Sequence, residues 1–153
     1  MRLTLYTDYA LRMLMHLAAH DDRLCSISEI AEAFGVSRNH LMKVANDLGR
    51  AGYVSPVRGR MGGLRLARAA EQINLGEIIR HTEDGLALVD CAACIIAPAC
   101  GLTGALNTAL GAFLTVLDGY TLADISSKRL ALRRLLGQPA GELARTKPDF
   151  PAR

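Results

Sequence analysis

Apolar positions repeat with a helical period from the start of the chain. Between Asp8 and His20 apolar side chains recur every three or four residues, and Thr7 is placed to cap the first turn. Ser26 and Glu29 have the spacing of a capping box, in which a hydroxyl and a carboxylate satisfy each other's backbone donors. The pattern therefore predicts two helices, the second ending at Gly35.

A third helix is followed by a change to short apolar stretches. Ser37 is placed to cap this helix, which the pattern predicts over 38–51. Two apolar stretches, 53–54 and 64–67, flank the basic and glycine-rich segment 58–63, which indicates a hairpin. Helix, helix, turn, helix and hairpin in this order predict a winged helix-turn-helix.

The second half of the chain is helical apart from one irregular segment. Asn74 begins a helix that extends to about Glu83, and Thr121 begins another that extends to about Leu136. Between them, apolar residues repeat from Leu102 at a helical period along one long helix. A second copy of the chain could cover that apolar stripe, which predicts a homodimer. The predicted fold is mainly α with a small β-wing, a winged helix-turn-helix plus a long dimerisation helix.

The pattern divides the chain into four parts. Residues 1–83 are expected to form a winged helix-turn-helix DNA-binding domain, and 84–101, which contain three of the four cysteines, an iron–sulfur cluster-binding loop. Residues 102–136 contain the dimerisation helix and a C-terminal helix, and the proline-containing segment 137–153 is expected to be a flexible tail. Neither a signal peptide nor an apolar run long enough to span a membrane is evident, so a cytoplasmic protein without a membrane partner is expected.

Positive charge is concentrated in one part of the chain. The window 38–68 has seven basic residues and one acid, a charge of +6, whereas the whole chain carries +3. Such a concentration is typical of proteins that bind polyanions and predicts double-stranded DNA as the partner. The candidate DNA contacts are Ser37, Arg38, Asn39, His40, Lys43, Asn46, Arg58, Arg60, Gly62 and Gly63.

These contacts differ in their expected roles. Arg38 and Asn39 have forked donors and acceptors that match base edges in the major groove. Lys43 is placed for a phosphate, and the glycines of the hairpin allow close approach of the backbone to DNA. His40 either contacts a phosphate or is a partly buried helix residue.

Three of the four cysteines lie within ten residues, as Cys91-x2-Cys94-x5-Cys100. Three soft ligands in an irregular loop suit an iron–sulfur cluster, which tolerates one ligand that is not cysteine. Zinc with a fourth ligand from elsewhere, a disulfide switch and buried structural cysteines remain alternatives. The distant Cys25 is expected to be a packing residue rather than a ligand.

Several motifs together resemble the NsrR family of nitric-oxide-sensing repressors, which belongs to the iron–sulfur winged-helix proteins that also include IscR. The resemblance covers residues 1 to about 126. Its motifs are Tyr6–Arg12, Gly35–Leu41, Ala51–Val54, Arg58–Gly63 and Tyr120–Asp124.

The resemblance implies a homodimeric transcriptional repressor with one cluster per protomer, 4Fe–4S or alternatively 2Fe–2S. Nitric oxide, the implied effector, attacks the cluster and releases the DNA operator. The cluster ligands would be Cys91, Cys94, Cys100 and Asp8 from the other protomer.

Two departures from the family pattern affect the cysteine loop. The first two cysteines have two residues between them, where the family more often has four or five. Thr103 occupies the position at which the IscR branch has a histidine ligand. An iron–sulfur or redox-status regulator of the IscR type remains the alternative function. An enzyme is not expected, because no catalytic triad, carboxylate pair or phosphate loop is recognisable.

Overall fold

The computed structural model describes residues 2–137, so the predicted tail falls outside the described residues except for Gly137. Helix α1 is Leu5–Ala19 and begins three residues before the predicted start. Its N-cap is Thr4, whose Oγ1 accepts a hydrogen bond from the backbone N–H of Thr7 at 3.2 Å. The prediction of Thr7 as the cap is wrong, because Thr7 lies inside the helix and is buried.

Helix α2, Ile27–Phe34, begins and ends where the local signals predict. Ser26 Oγ accepts from the N–H of Glu29 at 3.1 Å, and Gly35 ends the helix in the left-handed conformation with φ 63°. The predicted capping box is only half formed among residues 2–137, because the Glu29 carboxylate binds Arg23 and His16 instead of the Ser26 N–H.

Helix α3, Arg38–Arg50, follows after a short turn. Ser37 stands at its N-cap position, but its side chain accepts no capping hydrogen bond within residues 2–137. One face of the helix is apolar, and all four of its residues are buried: Leu41, Val44, Ala45 and Leu48.

The wing is an antiparallel hairpin of strands β1, Val54–Val57, and β2, Gly63–Leu66. Val54 pairs with Leu66 and Val57 with Gly63, so the first strand extends further toward the tip than predicted. On its other edge β2 pairs with the loop before α2. Leu64 N–H donates to the carbonyl of Cys25 at 2.8 Å, and the reverse bond measures 3.0 Å.

The second half contains helices α4, Leu75–Thr82, and α5, Leu102–Asp118. Asn74 caps α4 as predicted, with Oδ1 accepting from Glu77 N–H at 3.1 Å. Short 3-10 helices lie at Ala70–Gln72 and Ala97–Ala99.

The last predicted helix is two helices, α6 at Leu122–Ile125 and α7 at Arg129–Leu136. Thr121 and Asp124 form a complete capping box at the start of α6. The chain leaves the helix at Ser126, which is buried, and the following Ser127 also has a low helix propensity. The prediction of one continuous helix over 121–136 is therefore wrong.

The core surrounds α1. Its buried residues come from α1, α2, α3, the wing, α4 with the segment before it, and α6. The largest fully buried ones include Met13, Leu14, Leu17, Ile30, Leu41, Leu48, Ile73, Ile78 and Leu122. By contrast, α5 has no buried residue although it is rich in Leu and Ala. None of the helices in residues 2–137 has both the length and the apolar character needed to cross a membrane.

Two serines at equivalent N-cap positions give a matched test of local capping. We expect Ser26→Ala to lower the free energy of unfolding by about 1 kcal/mol, because it removes the bond to Glu29 N–H. Ser37→Ala should change it by less than about 0.5 kcal/mol, because no capping bond is lost. Urea unfolding followed by circular dichroism measures both. Equal destabilisation of the two variants would contradict this account of α2.

Candidate nucleic-acid interface and cysteine loop

The outer face of α3 is polar and open to solvent. Arg38, Asn39, Lys43 and Asn46 are all exposed on the side away from the buried face of the helix. His40 is exposed as well, so the alternative of a partly buried histidine is wrong. The face therefore presents donors, acceptors and positive charge to solvent, with the His40 ring stacked on Tyr9 at a centroid distance of 6.2 Å.

One hydrogen-bonded group holds α3 against its neighbours. Asp47 Oδ2 accepts from the hydroxyl of Tyr6 at 2.8 Å and lies 3.0 Å from Nε2 of His81. Burial, followed by the bond to Asp47, raises the pKa of Tyr6 to about 12, so Tyr6 remains a hydrogen-bond donor at neutral pH. The single acid of the basic window is thus used to join α1, α3 and α4.

The wing presents arginines in its turn and glycines where the second strand begins. Arg58 and Arg60 are exposed, and Met61 between them and the glycines is 89% exposed. A Cβ at Gly62 would collide with the carbonyl of Val57, and one at Gly63 would lie 2.9 Å from the carbonyl of Cys25. Both glycines are therefore required by backbone packing in the hairpin.

The cysteine loop is a series of three-residue turns. The N–H of Cys94 donates to the carbonyl of Cys91 at 3.2 Å, that of Ala97 to Cys94 at 3.1 Å, and that of Cys100 to Ala97 at 3.3 Å. The cysteine spacings of three and six residues match this repeat. Consecutive turns of this type bring residues three apart to the same side of the backbone.

The three thiols are free and accessible. Cys94 is exposed, whereas Cys91 and Cys100 are half-buried, and Cys91 Sγ lies 3.4 Å from the hydroxyl of Thr103. Their sulfurs do not form a close group for one ion. Within residues 2–137 the only group of three possible ligands with donor atoms within 4.8 Å lies elsewhere.

The donor set nevertheless fits an iron–sulfur cluster. A cluster binds its thiolates through separate iron atoms, so its ligands lie farther apart than those of a single ion. The loop is also apolar and uncovered, with Ile95 94% exposed. Such a surface favours a bound group or another chain over solvent.

Asp8 lies in the first turn of α1 on the surface. Its carboxylate forms an ion pair with Arg12 at 2.8 Å, and both side chains are about 40% exposed (39% and 44%).

The sequence pattern did not reveal a hydrogen-bonded group, Glu83 with Thr4 and Thr7, that joins α1 to the start of the cysteine loop. Glu83 Oε1 accepts from Thr4 N–H at 2.8 Å and from Thr7 Oγ1 at 2.5 Å. Burial opposes ionisation of Glu83, but these bonds lower its pKa overall.

A helix-turn-helix with an exposed basic third helix and an arginine-bearing wing defines a DNA-binding transcriptional regulator of the winged-helix class. The chain belongs to the Rrf2 family, described as "Iron-dependent Transcriptional regulator", whose model matches residues 3–128. The expectation of a regulator rather than an enzyme is confirmed by this membership.

Relatives of nearly equal length carry the name HTH-type transcriptional regulator NsrR. That of Bacillus licheniformis is 51% identical over 142 residues, covering 89% of this chain and 99% of the relative. That of Geobacillus kaustophilus is 47% identical over 147 residues, covering 92% and 100%. The resemblance to the NsrR family is thereby confirmed.

Solved structures confirm the predicted fold class. CymR of B. subtilis, titled the global cysteine regulator, has a TM-score of 0.71 at 27% identity, with 84% of this chain and 98% of that chain covered. IscR of T. potens has a TM-score of 0.70 at 29% identity, with 84% and 88% covered.

Gly63 offers a test of the wing. We expect Gly63→Ala to lower the free energy of unfolding by about 1–3 kcal/mol, since the added methyl group meets the carbonyl of Cys25. DNA affinity should fall as well, because the hairpin must shift. Met61→Ala at the exposed tip is the matched control and should leave the unfolding midpoint unchanged. A fully stable Gly63→Ala protein would show that this contact relaxes freely.

Proposed function

We propose that the protein is a transcriptional repressor that senses nitric oxide through an iron–sulfur cluster held by Cys91, Cys94 and Cys100. The main support for this proposal is that three accessible thiols on consecutive turns belong to the same chain as a DNA-binding winged helix-turn-helix. The identity of about half to regulators named NsrR supports the same function. When bound, the cluster, 4Fe–4S or 2Fe–2S, supplies iron that reacts with nitric oxide.

The proposed repressor is a homodimer that binds a palindromic operator. Helix α5 has 17 residues and none is buried, although Leu102 and Val116 are large apolar side chains. A second copy of the chain is the simplest partner for this surface, because its association requires no other protein. Two α3 helices would then enter the major groove at half-sites about 10–10.5 base pairs apart.

Coupling between the loop and DNA would run through the start of α1. Glu83 binds Thr4 and Thr7 and directly precedes the loop 84–101, so it ties that loop to the helix on which α3 packs. Asp8, as the proposed fourth ligand from the other protomer, lies one residue after Thr7. It would have to leave Arg12 to bind iron.

The outer face of α3 can be tested by comparing operator with random DNA. Arg38→Ala and Asn39→Ala should each weaken operator binding by about 1–3 kcal/mol and relax sequence preference, because they remove base contacts. Lys43→Ala should weaken all sequences alike and reduce the salt dependence, because it removes a phosphate contact. Fluorescence anisotropy at several salt concentrations measures both. An Arg38→Ala protein with unchanged discrimination would place base recognition elsewhere.

The cysteine loop can be tested by spectroscopy of the anaerobically purified protein. Cys91→Ala, Cys94→Ala and Cys100→Ala should each abolish the visible absorbance of the cluster and with it the tight operator binding. Cys25→Ser should keep the absorbance, because Cys25 is buried in the core far along the chain from the loop. A full spectrum in Cys94→Ala would refute the three-cysteine assignment.

Two further experiments test Asp8 as the fourth ligand and nitric oxide as the effector. Asp8→Ala should leave the protein folded but change the spectrum or the response to nitric oxide, with Arg12→Ala as the control for loss of the ion pair. Nitric oxide should release operator DNA from the loaded protein at constant iron supply. Release by iron depletion or oxidant alone, without a response to nitric oxide, would favour the IscR-type alternative.

A further inference from the structure

The C-terminal end of α1 carries a second set of soft ligands, separate from the cysteine loop. Nitrogen atoms of His16 and His20 and the sulfur of Cys25 lie within 4.8 Å of one another. His16 and Cys25 are buried and His20 is half-buried. Among residues 2–137 no other group of three possible ligands is as close.

His16 has one satisfied ring nitrogen and one unsatisfied one. Its Nε2 lies 3.3 Å from Oε1 of Glu29, and a carboxylate partner places the ring proton on Nε2. The lone pair is then on Nδ1, which is buried and has no hydrogen-bond partner within residues 2–137. The whole side chain is only 1% exposed, so water does not reach this nitrogen freely. A buried acceptor of this kind is costly unless something binds it.

In His20, too, one ring nitrogen donates a hydrogen bond and the other carries a lone pair. Its Nδ1 lies 3.0 Å from the backbone carbonyl of His16, so Nδ1 is the donor and Nε2 carries the lone pair. The two imidazole rings stack with centroids 4.6 Å apart. Histidines that bind metals usually donate their other N–H to a carboxylate or a backbone carbonyl. Here His16 has the carboxylate of Glu29, and His20 has a backbone carbonyl.

Cys25 completes the set from a different element. It is fully buried, and its backbone N–H and carbonyl both form hydrogen bonds with the backbone of Leu64 in the wing. Burial, followed by the charge of Glu29, raises the pKa of its thiol to about 11, so the thiol is protonated at neutral pH. Binding of a cation would form a thiolate–metal bond and release that proton to solvent.

We propose that His16, His20 and Cys25 bind one divalent cation of the zinc class. Two imidazole nitrogens and one thiolate are a ligand set that Zn²⁺ favours, with a fourth position left for water. An open cleft of about 390 Å³, lined in part by His20, Arg23 and Glu29, reaches the group at His20. Glu29 also binds Arg23, at 3.0 Å, and so offsets the charge of that guanidinium.

The position of the site suggests what the cation would do. It would join the end of α1 to the start of α2 through Glu29, and to the wing through Cys25 and Leu64. The helix-turn-helix and the hairpin would then be held at a fixed separation by a bond that does not involve the cysteine loop.

The test uses the full chain with Cys91, Cys94 and Cys100 changed to Ser, which leaves Cys25 as the only one of four cysteines. Anaerobic titration with Co²⁺ should saturate at one ion per chain. Visible absorption typical of tetrahedral cobalt should appear with a near-ultraviolet thiolate-to-cobalt band, which only Cys25 can supply. Absence of the thiolate band would overturn the proposal.

Matched variants identify the other ligands in the same background. His20→Gln should weaken cobalt binding at least about tenfold, and Glu29→Gln by about 10–100-fold, whereas the exposed His40→Gln should not weaken it. Circular dichroism checks that each variant is folded. Equal affinity in His20→Gln and His40→Gln would exclude the histidine assignment.

A second measurement covers the case in which the triple-serine chain does not fold. Native mass spectrometry of the otherwise unchanged chain should then show one zinc ion fewer in His20→Gln than in His40→Gln, and equal zinc in both would overturn the site. Either negative result leaves the proposed nitric oxide sensing unaffected, because that function is read from the visible spectrum of the cysteine loop.

Discussion

The apolar face of α1 is in contact with α3, α4 and strand β2 of the wing. Met13, Leu14 and Leu17 on this face are fully buried, and truncating any one of them would cost about 2–5 kcal/mol. Because both the outer face of α3 and the arginines of the wing are positioned through this one helix, their separation is set by core packing. The DNA-reading surface is thus a consequence of how α1 is buried.

Helix α1 also connects two chemically distinct regions. At its start, Thr4 and Thr7 bind Glu83, which leads into the cysteine loop. At its end, about 22 Å away for 15 residues, the histidine pair lies beside Cys25 and the wing. A change at either end can therefore alter how α1 supports α3 without any change in the core itself.

Local chemistry was enough to predict most elements but not all of their ends. The caps at Ser26 and Asn74 and the left-handed glycine at Gly35 follow from neighbouring residues, and the structure has them as predicted. Thr4 and Thr7 both suit an N-cap, and the choice between them involves Glu83, 79 residues from Thr4. The break between α6 and α7 coincides with the burial of Ser126, which a local pattern does not reveal.

Some residues of the candidate sites are also visible in the sequence, whereas others are brought together only by the fold. Cysteine spacing identifies three thiols in one loop, and charge identifies the basic face of α3, because both signals are continuous in sequence. A ligand from another protomer leaves no local pattern, so Asp8 rests on resemblance alone. His16 and His20, four residues apart, are a visible signal, but only the fold places Cys25 beside them.

The uncovered state of α5 has a consequence for any measurement of stability. A 17-residue apolar helix without one buried residue leaves the isolated chain with a hydrophobic surface in water. Whatever covers that surface binds the folded chain and not the unfolded one, so the melting temperature must rise with the concentration of the covering molecule. With the proposed second copy as the covering molecule, a melting temperature characterises this protein only when the concentration of chain in the sample is given with it.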